Sequence, residues 1–92
     1  MAVDPNEPLA YFNLANIYLK RGDAAGAIPQ YDRATSLNPS LSTGYFYLAE
    51  AYARTGALQR ALDAVRRGLE FDPENANGRL AEEKLKQALG VR

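Results

Sequence analysis

The sequence predicts an all-α protein, a right-handed α-solenoid of stacked antiparallel helix pairs with five helices. Three observations carry this. First, Tyr11, Leu14, Ala15, Tyr18, Gly22, Ala27, Tyr31, Ala34 and Pro39 are answered, each 34 residues on, by Tyr45, Leu48, Ala49, Tyr52, Gly56, Ala61, Val65, Gly68 and Pro73. Second, the apolar positions within each unit fall at i, i+3, i+4 and i+7, the spacing of one buried helical face. Third, glycine-led joints alternate with residue–proline stops. A fixed period of this length marks a stack of supersecondary units, each unable to bury its apolar face alone.

Length and charge narrow the classes of function. Ninety-two residues make one small domain. Eleven basic residues balance eleven acidic ones, so nothing points to nucleic acid or to an anionic membrane as partner. There is no cysteine and no histidine, which removes thiol and imidazole nucleophiles, bases and metal ligands. No catalysis, cofactor or metal is expected. No stretch approaches the roughly 20 apolar residues of a membrane span, and no basic-then-apolar leader opens the chain. The composition suits the cytoplasm, although a chain without cysteine is equally compatible with export.

The elements divide into residues 1–7, 8–41, 42–75 and 76–92. In the first, Val3-Asp4-Pro5 matches Leu37-Asn38-Pro39 and Phe71-Asp72-Pro73, as if it ended an earlier repeat lost when the chain was cut from a longer array. The alternative is an ordinary N-terminal arm. Pro8 to Arg21 reads as the first helix, with Asn6 as its cap, Pro8 in its first turn, and Tyr11, Leu14, Ala15 and Tyr18 inward. Gly22 suits the left-handed end of that helix, and Asp23 can cap the next, about Ala24 to Leu37. A joint this short forces an αα-hairpin. The second helix turns Ala27, Ile28, Tyr31, Ala34 and Leu37 inward, and Asn38-Pro39 stops it. Pro29 falls inside it, so either the helix starts late or it is kinked there.

The second unit repeats the design. Ser42 to Thr55 carries Tyr45, Leu48, Ala49 and Tyr52 inward; Gly56-Ala57 is the joint; Leu58 to Phe71 carries Ala61, Leu62, Val65 and Leu69 inward. Glu50 with Arg54, and Arg66 with Glu70, stand at i, i+4 and can pair on exposed faces. In the last helix, Ala76 to Leu89, the inward pattern is replaced by Arg79, Glu82, Glu83 and Lys86, so the face that would receive another helix is polar. Leu85, Leu89 and Ala81 can pack back on the preceding helix, and Gly90 ends the run. The Ala10, Leu14 and Ile17 side of the first helix has no such polar cover, which invites an upstream repeat or self-association.

These residues resemble the tetratricopeptide repeat, whose 34-residue pattern has an aromatic, Leu, a small residue and Tyr in the first helix, then Ala, an aromatic, Ala and Pro. Tyr11, Leu14, Ala15, Tyr18, Ala27, Tyr31, Ala34 and Pro39 satisfy all eight positions, with Tyr and Ala where Trp and Gly are commonest. In the second unit Val65 and Gly68 depart from it. The resemblance covers nearly the whole chain and implies a non-catalytic scaffold for protein binding rather than a chemistry.

What the resemblance implies for a site is a concave groove lined by the first helices of successive repeats. It places Leu9, Phe12, Asn13, Asn16, Leu19 and Lys20 there, then Thr43, Phe46, Tyr47, Glu50, Ala53 and Arg54, then Asn77, Leu80, Lys84 and Gln87. Helical spacing turns Phe12, Asn16 and Leu19 away from Tyr11, Leu14 and Tyr18, which makes them dispensable to the core and makes Phe12 and Phe46 a candidate apolar shelf. Asn13 and Asn16 carry amide donors and acceptors suited to a peptide backbone, or they merely solvate the groove. The family's clamp for a terminal carboxylate is largely missing: Asn16 fits, but Phe12, Glu50, Asn77 and Ala81 stand at the other positions. A ligand with an apolar side chain, and a basic group facing Glu50, is the better expectation. Three groove helices about 10 Å apart would hold about six extended residues.

The expected partner is a short peptide or helix from another protein, in a chain that belongs to a larger array. The alternative is a homo-oligomer assembled through the open side of the first helix or the Phe12, Phe46 and Tyr47 face. An enzyme would have to rest on Glu82 and Glu83, or on Glu50 with Arg54, whose placement is that of solvated surface charge. Nucleic acid would have to meet a patch from Arg54, Arg60, Arg66 and Arg67.

Overall fold

The computed structural model describes residues 7–90, which form α1 (Pro8–Lys20), α2 (Ala24–Leu37), α3 (Ser42–Arg54), α4 (Leu58–Phe71) and α5 (Ala76–Leu89). No strand occurs among the described residues. α1 and α3 stop one residue short of the expected Arg21 and Thr55, because those two residues take cap conformations. Each cap N–H reaches back to more than one carbonyl of the last turn.

The joints follow from glycine. Gly22 and Gly56 hold φ of 81° and 85°, a left-handed setting that costs glycine nothing and a Cβ-bearing residue a great deal. Through them Asp23 N–H reaches Tyr18 O at 2.9 Å and Ala57 N–H reaches Tyr52 O at 2.9 Å, closing both helix ends as Schellman motifs. Asp23 then caps α2, its Oδ1 accepting from Gly26 N–H at 2.8 Å. An Asp23→Ala variant should lose about 1 kcal/mol, read as a drop of roughly 4–8 °C in the thermal midpoint by circular dichroism.

Two local expectations change. The residue that caps α1 is Glu7, whose side chain accepts from Leu9 N–H at 3.0 Å; Asn6, expected in that role, lies outside the described residues. α2 begins at Ala24, so the late-start account of Pro29 fails. Pro29 is the sixth residue of the helix, and the Ala25 carbonyl four residues back has no N–H to accept from. Ala25 and Pro29 are both exposed, which lets water take that place.

Packing runs between sequence neighbours, α1 on α2, α2 on α3, α3 on α4 and α4 on α5, in a body of 44 × 26 × 17 Å. This quasi-linear stack is what makes the chain an α-solenoid. The interior is largely alanine: Ala15, Ala27, Ala34, Ala51 and Ala61 are wholly buried, with Tyr31, Leu62 and Val65 as its large members. Small residues let helix backbones approach, and the few large ones fill what remains.

At the far end, Leu85 is buried and Ala81 and Leu89 pack on the core, as expected. Arg79 and Glu83 are exposed. Glu82, expected on an outward polar face, turns back to α4 and meets Arg66 at 3.3 Å. Arg66 is therefore paired across helices with Glu82 and not along α4 with Glu70, because α5 brings a carboxylate to it.

Candidate functional site

The face formed by α1, α3 and α5 splits the expected groove residues into two groups. Phe12, Asn16 and Phe46 are half-buried and engaged with the interior; Asn13, Lys20, Tyr47, Glu50, Arg54, Leu80 and Lys84 are exposed.

The first group shows that the core reaches further than helical spacing implied. Tyr31 of α2 is wholly buried, and the Phe12 ring meets it edge-on at 5.9 Å. Phe12 also meets Tyr47 of α3 edge-on at 5.5 Å, and Tyr31 stacks on Tyr47 at 6.1 Å. Three helices are pinned by one aromatic triad. The Tyr31 hydroxyl donates to Asn16 Oδ1, and burial, then the nearby Glu50 and Tyr47, push its pKa up to about 12, partly opposed by Arg54. Leu19 is only 5% exposed and belongs to the core. The expectation that Phe12, Asn16 and Leu19 are dispensable to the core is thus corrected: Phe12 and Asn16 meet Tyr31 of the hairpin partner α2, Phe12 also meets Tyr47 of α3, and Leu19 is buried.

Phe46 is also held inward. Its ring lies against Gly68 of α4 and Gly78 of α5, far from an aromatic pairing with Phe12, whose ring partners are Tyr31 and Tyr47. The two phenylalanines do not form a joint shelf.

What the face does form is a slot of about 560 Å³ between α3 and α5, within the roughly 300–1,000 Å³ typical of ligand pockets. Phe46, Tyr47 and Glu50 from α3 and Lys84 from α5 line it, with Thr43, Ala53 and Asn77 from the wider groove set. Ala49, Val65, Asn75, Gly78, Ala81 and Leu85 complete it; of these only Ala81 was placed on this face by the sequence, at a clamp position. The signal that could have found them is the set of small residues Ala49, Ala53, Gly78 and Ala81 on facing helices, where missing side chains leave a hollow. Phe12, Asn13, Asn16, Lys20, Arg54 and Leu80 do not line the slot.

Glu50 and Arg54 pair at 3.3 Å, as expected, with both side chains about half exposed. Arg54 Nη1 also donates to the Leu19 carbonyl at 3.4 Å, tying α3 to the end of α1. Tyr47, at 40% exposure, and Leu80, at 54%, are large apolar groups on this face open to solvent.

A second cleft, of about 720 Å³, opens between α2 and α4 over Tyr45, Leu48 and Tyr52 of α3, walled by Asp32, Ser36, Arg60, Asp63 and Arg67. Burial pushes the Asp32 carboxyl above its usual value and the Arg60 guanidinium pulls it back. Tyr52 is raised by burial and then by Asp32. No side-chain hydrogen bond joins Asp32, Tyr52 and Arg60 among the described residues.

Among the described residues no helix is long and apolar enough to cross a membrane. No curated protein sequence is significantly similar to the chain. Solved structures are. The first TPR of Spaghetti (RPAP3), determined bound to the HSP90 peptide SRMEEVD, is 28% identical with a TM-score of 0.91, over 96% of this chain and 70% of that one. The first TPR domain of human RPAP3 is 29% identical with a TM-score of 0.88, over 95% and 68%. MamA shares the fold at 21% identity and a TM-score of 0.92, over 97% of this chain and 52% of its own. The sequence profile described as "Tetratricopeptide repeat" matches residues 2–42 and 12–76. Those two matches span most of the chain, and with the 34-residue period, the five stacked helices and the Schellman-closed hairpins they establish that it belongs to the tetratricopeptide repeat family.

Proposed function

We propose that this chain is a non-catalytic protein-interaction module that takes a short peptide or helix on the face formed by α1, α3 and α5. Residues 8–41 and 42–75 act as its two repeats and 76–92 as a closing helix, within a larger scaffold. The observation that carries the reading is the α3–α5 slot, with Phe46 in its wall and Tyr47 exposed at its edge. Aromatic side chains beside a concave, mostly apolar surface are what peptide anchors need. The peptide held by the Spaghetti repeat domain supports the same use of the fold. That peptide's terminal carboxylate is not carried over, because Phe12, Asn77 and Ala81 leave this chain without the cations such a clamp employs. A chain with no cysteine suits a reducing compartment, and the cytoplasm is the place this reading assigns.

The test is a selection from a random peptide library, followed by amide shift mapping of the selected peptides on the labelled chain. Micromolar binding with shifts on α3 and α5 is the expected result. Shifts confined to the α2–α4 cleft, or an empty selection, would sink the proposal.

Self-association is the second reading, and one observation favours it. Ile17 is 46% exposed, whereas Ala51, its counterpart in the second unit, is wholly buried. A position that is covered in the second unit is therefore open on α1. Light-scattering mass across a dilution series decides it: a concentration-dependent dimer abolished by Ile17→Glu supports assembly, and a monomer throughout removes it.

A further inference from the structure

Two missing side chains set the shape of the α3–α5 slot. A Cβ at Gly68 would stand 2.6 Å from Phe46 Cε1, and one at Gly78 would stand 2.6 Å from the same atom, well inside the roughly 3.5–4.0 Å at which carbons rest. With glycine at both places the Phe46 ring sinks between α4 and α5. It becomes a wall of the slot instead of its filling. The volume left over is open to an apolar side chain from outside.

Two charged side chains line the slot, Glu50 and Lys84. Lys84 has no carboxylate within ion-pair distance among the described residues, whereas Glu50 already holds Arg54 at 3.3 Å. Of the charged groups in the expected groove set, Lys20, Arg54 and Lys84 are cations and Glu50 is the single anion. Asn16, which occupies in the first unit the place of Glu50 in the second and Lys84 in the last helix, spends its amide oxygen on the Tyr31 hydroxyl. Of the two charges that line the slot, Glu50 is therefore the paired one and Lys84 the one left for a ligand among the described residues.

We propose that the slot takes a bulky apolar side chain from an internal peptide segment that carries an adjacent Asp or Glu, whose carboxylate meets Lys84. This rests on the peptide-binding reading and names the chemistry of its ligand. It also reverses the expectation of a basic group beside Glu50, since that carboxylate already has a cationic partner in Arg54.

Three hexapeptides, acetylated and amidated so that no terminal charge contributes, serve as probes. One has Leu-Leu-Glu-Glu at its centre, one Leu-Leu-Lys-Lys and one Ser-Ser-Glu-Glu, each flanked by glycine. The first should bind at least about fivefold more tightly than either other, with shifts on α3 and α5, and the advantage over Leu-Leu-Lys-Lys should shrink in high salt. Lys84→Glu, an exposed change that leaves the fold alone, should invert the order of the Glu and Lys peptides. Gly78→Ala, with helical circular dichroism retained, should weaken the first peptide by pushing Phe46 into the slot. An unchanged order in Lys84→Glu, or tighter binding of Leu-Leu-Lys-Lys, overturns the inference while peptide shifts on α3 and α5 keep the peptide-binding reading standing. Failure of all three probes overturns the inference, and the library selection then decides separately whether the face binds peptide at all.

Discussion

A Tyr31→Ala variant is expected to lose about 3–5 kcal/mol of stability, a large share of the roughly 5–15 kcal/mol a domain of this length possesses. Tyr31 is the one large side chain of α2 that is wholly buried. Its ring contacts Phe12 of α1 and Tyr47 of α3, so its removal opens a cavity at the point where both repeats meet. Chemical denaturation should report a lower midpoint, or an unfolded chain. Tyr31→Phe separates ring from hydroxyl: it keeps the packing, leaves Asn16 Oδ1 without its donor, and should cost only about 1–2 kcal/mol. The phenol also predicts a pH dependence. Its folded pKa, about 12, lies above the unfolded value of about 10, so between them the unfolded chain releases a proton that the folded chain keeps. Stability contributed this way is complete below pH 10 and is lost as pH rises toward 12. Tyr31→Phe should flatten that part of the denaturation profile.

A Pro29→Ala variant should move the other way and stabilise the protein by about 2 kcal/mol, raising its thermal midpoint by roughly 10 °C. Proline in a helix interior costs about 3 kcal/mol relative to alanine. Part of that is offset here, because the ring also restricts the unfolded chain and the stranded Ala25 carbonyl faces water. The equivalent position in the second unit is Asp63, inside an uninterrupted α4, so nothing in the repeat design requires the ring. A midpoint unchanged or lowered on replacement would mean that Pro29 supplies packing or geometry that its exposure does not suggest.

The sequence by itself determined the helices, the joints and the family. A 34-residue period, glycine where φ must be positive, and proline where a helix must stop are local instructions. They act through backbone sterics that hold wherever those residues occur. For the same reason the bounds of α2, α4 and α5 were legible to the residue, and Asp23 was recognisable as a cap.

Only the tertiary structure decided which side chains the site keeps. Helical spacing sorts residues around one axis, and it assigned Tyr11 to the core and Phe12 to the groove, whereas both are half-buried and Phe12 is the one that packs on the core cluster. Spacing cannot say that α2 and α3 together draw Phe12, Asn16 and Leu19 into the interior. Nor can spacing along α4 reveal that α5 brings Glu82 to Arg66, or that two glycines on different helices yield to one Phe46 ring. Such facts belong to three bodies meeting in space, and the hollow between α3 and α5 exists only because their small residues are brought face to face.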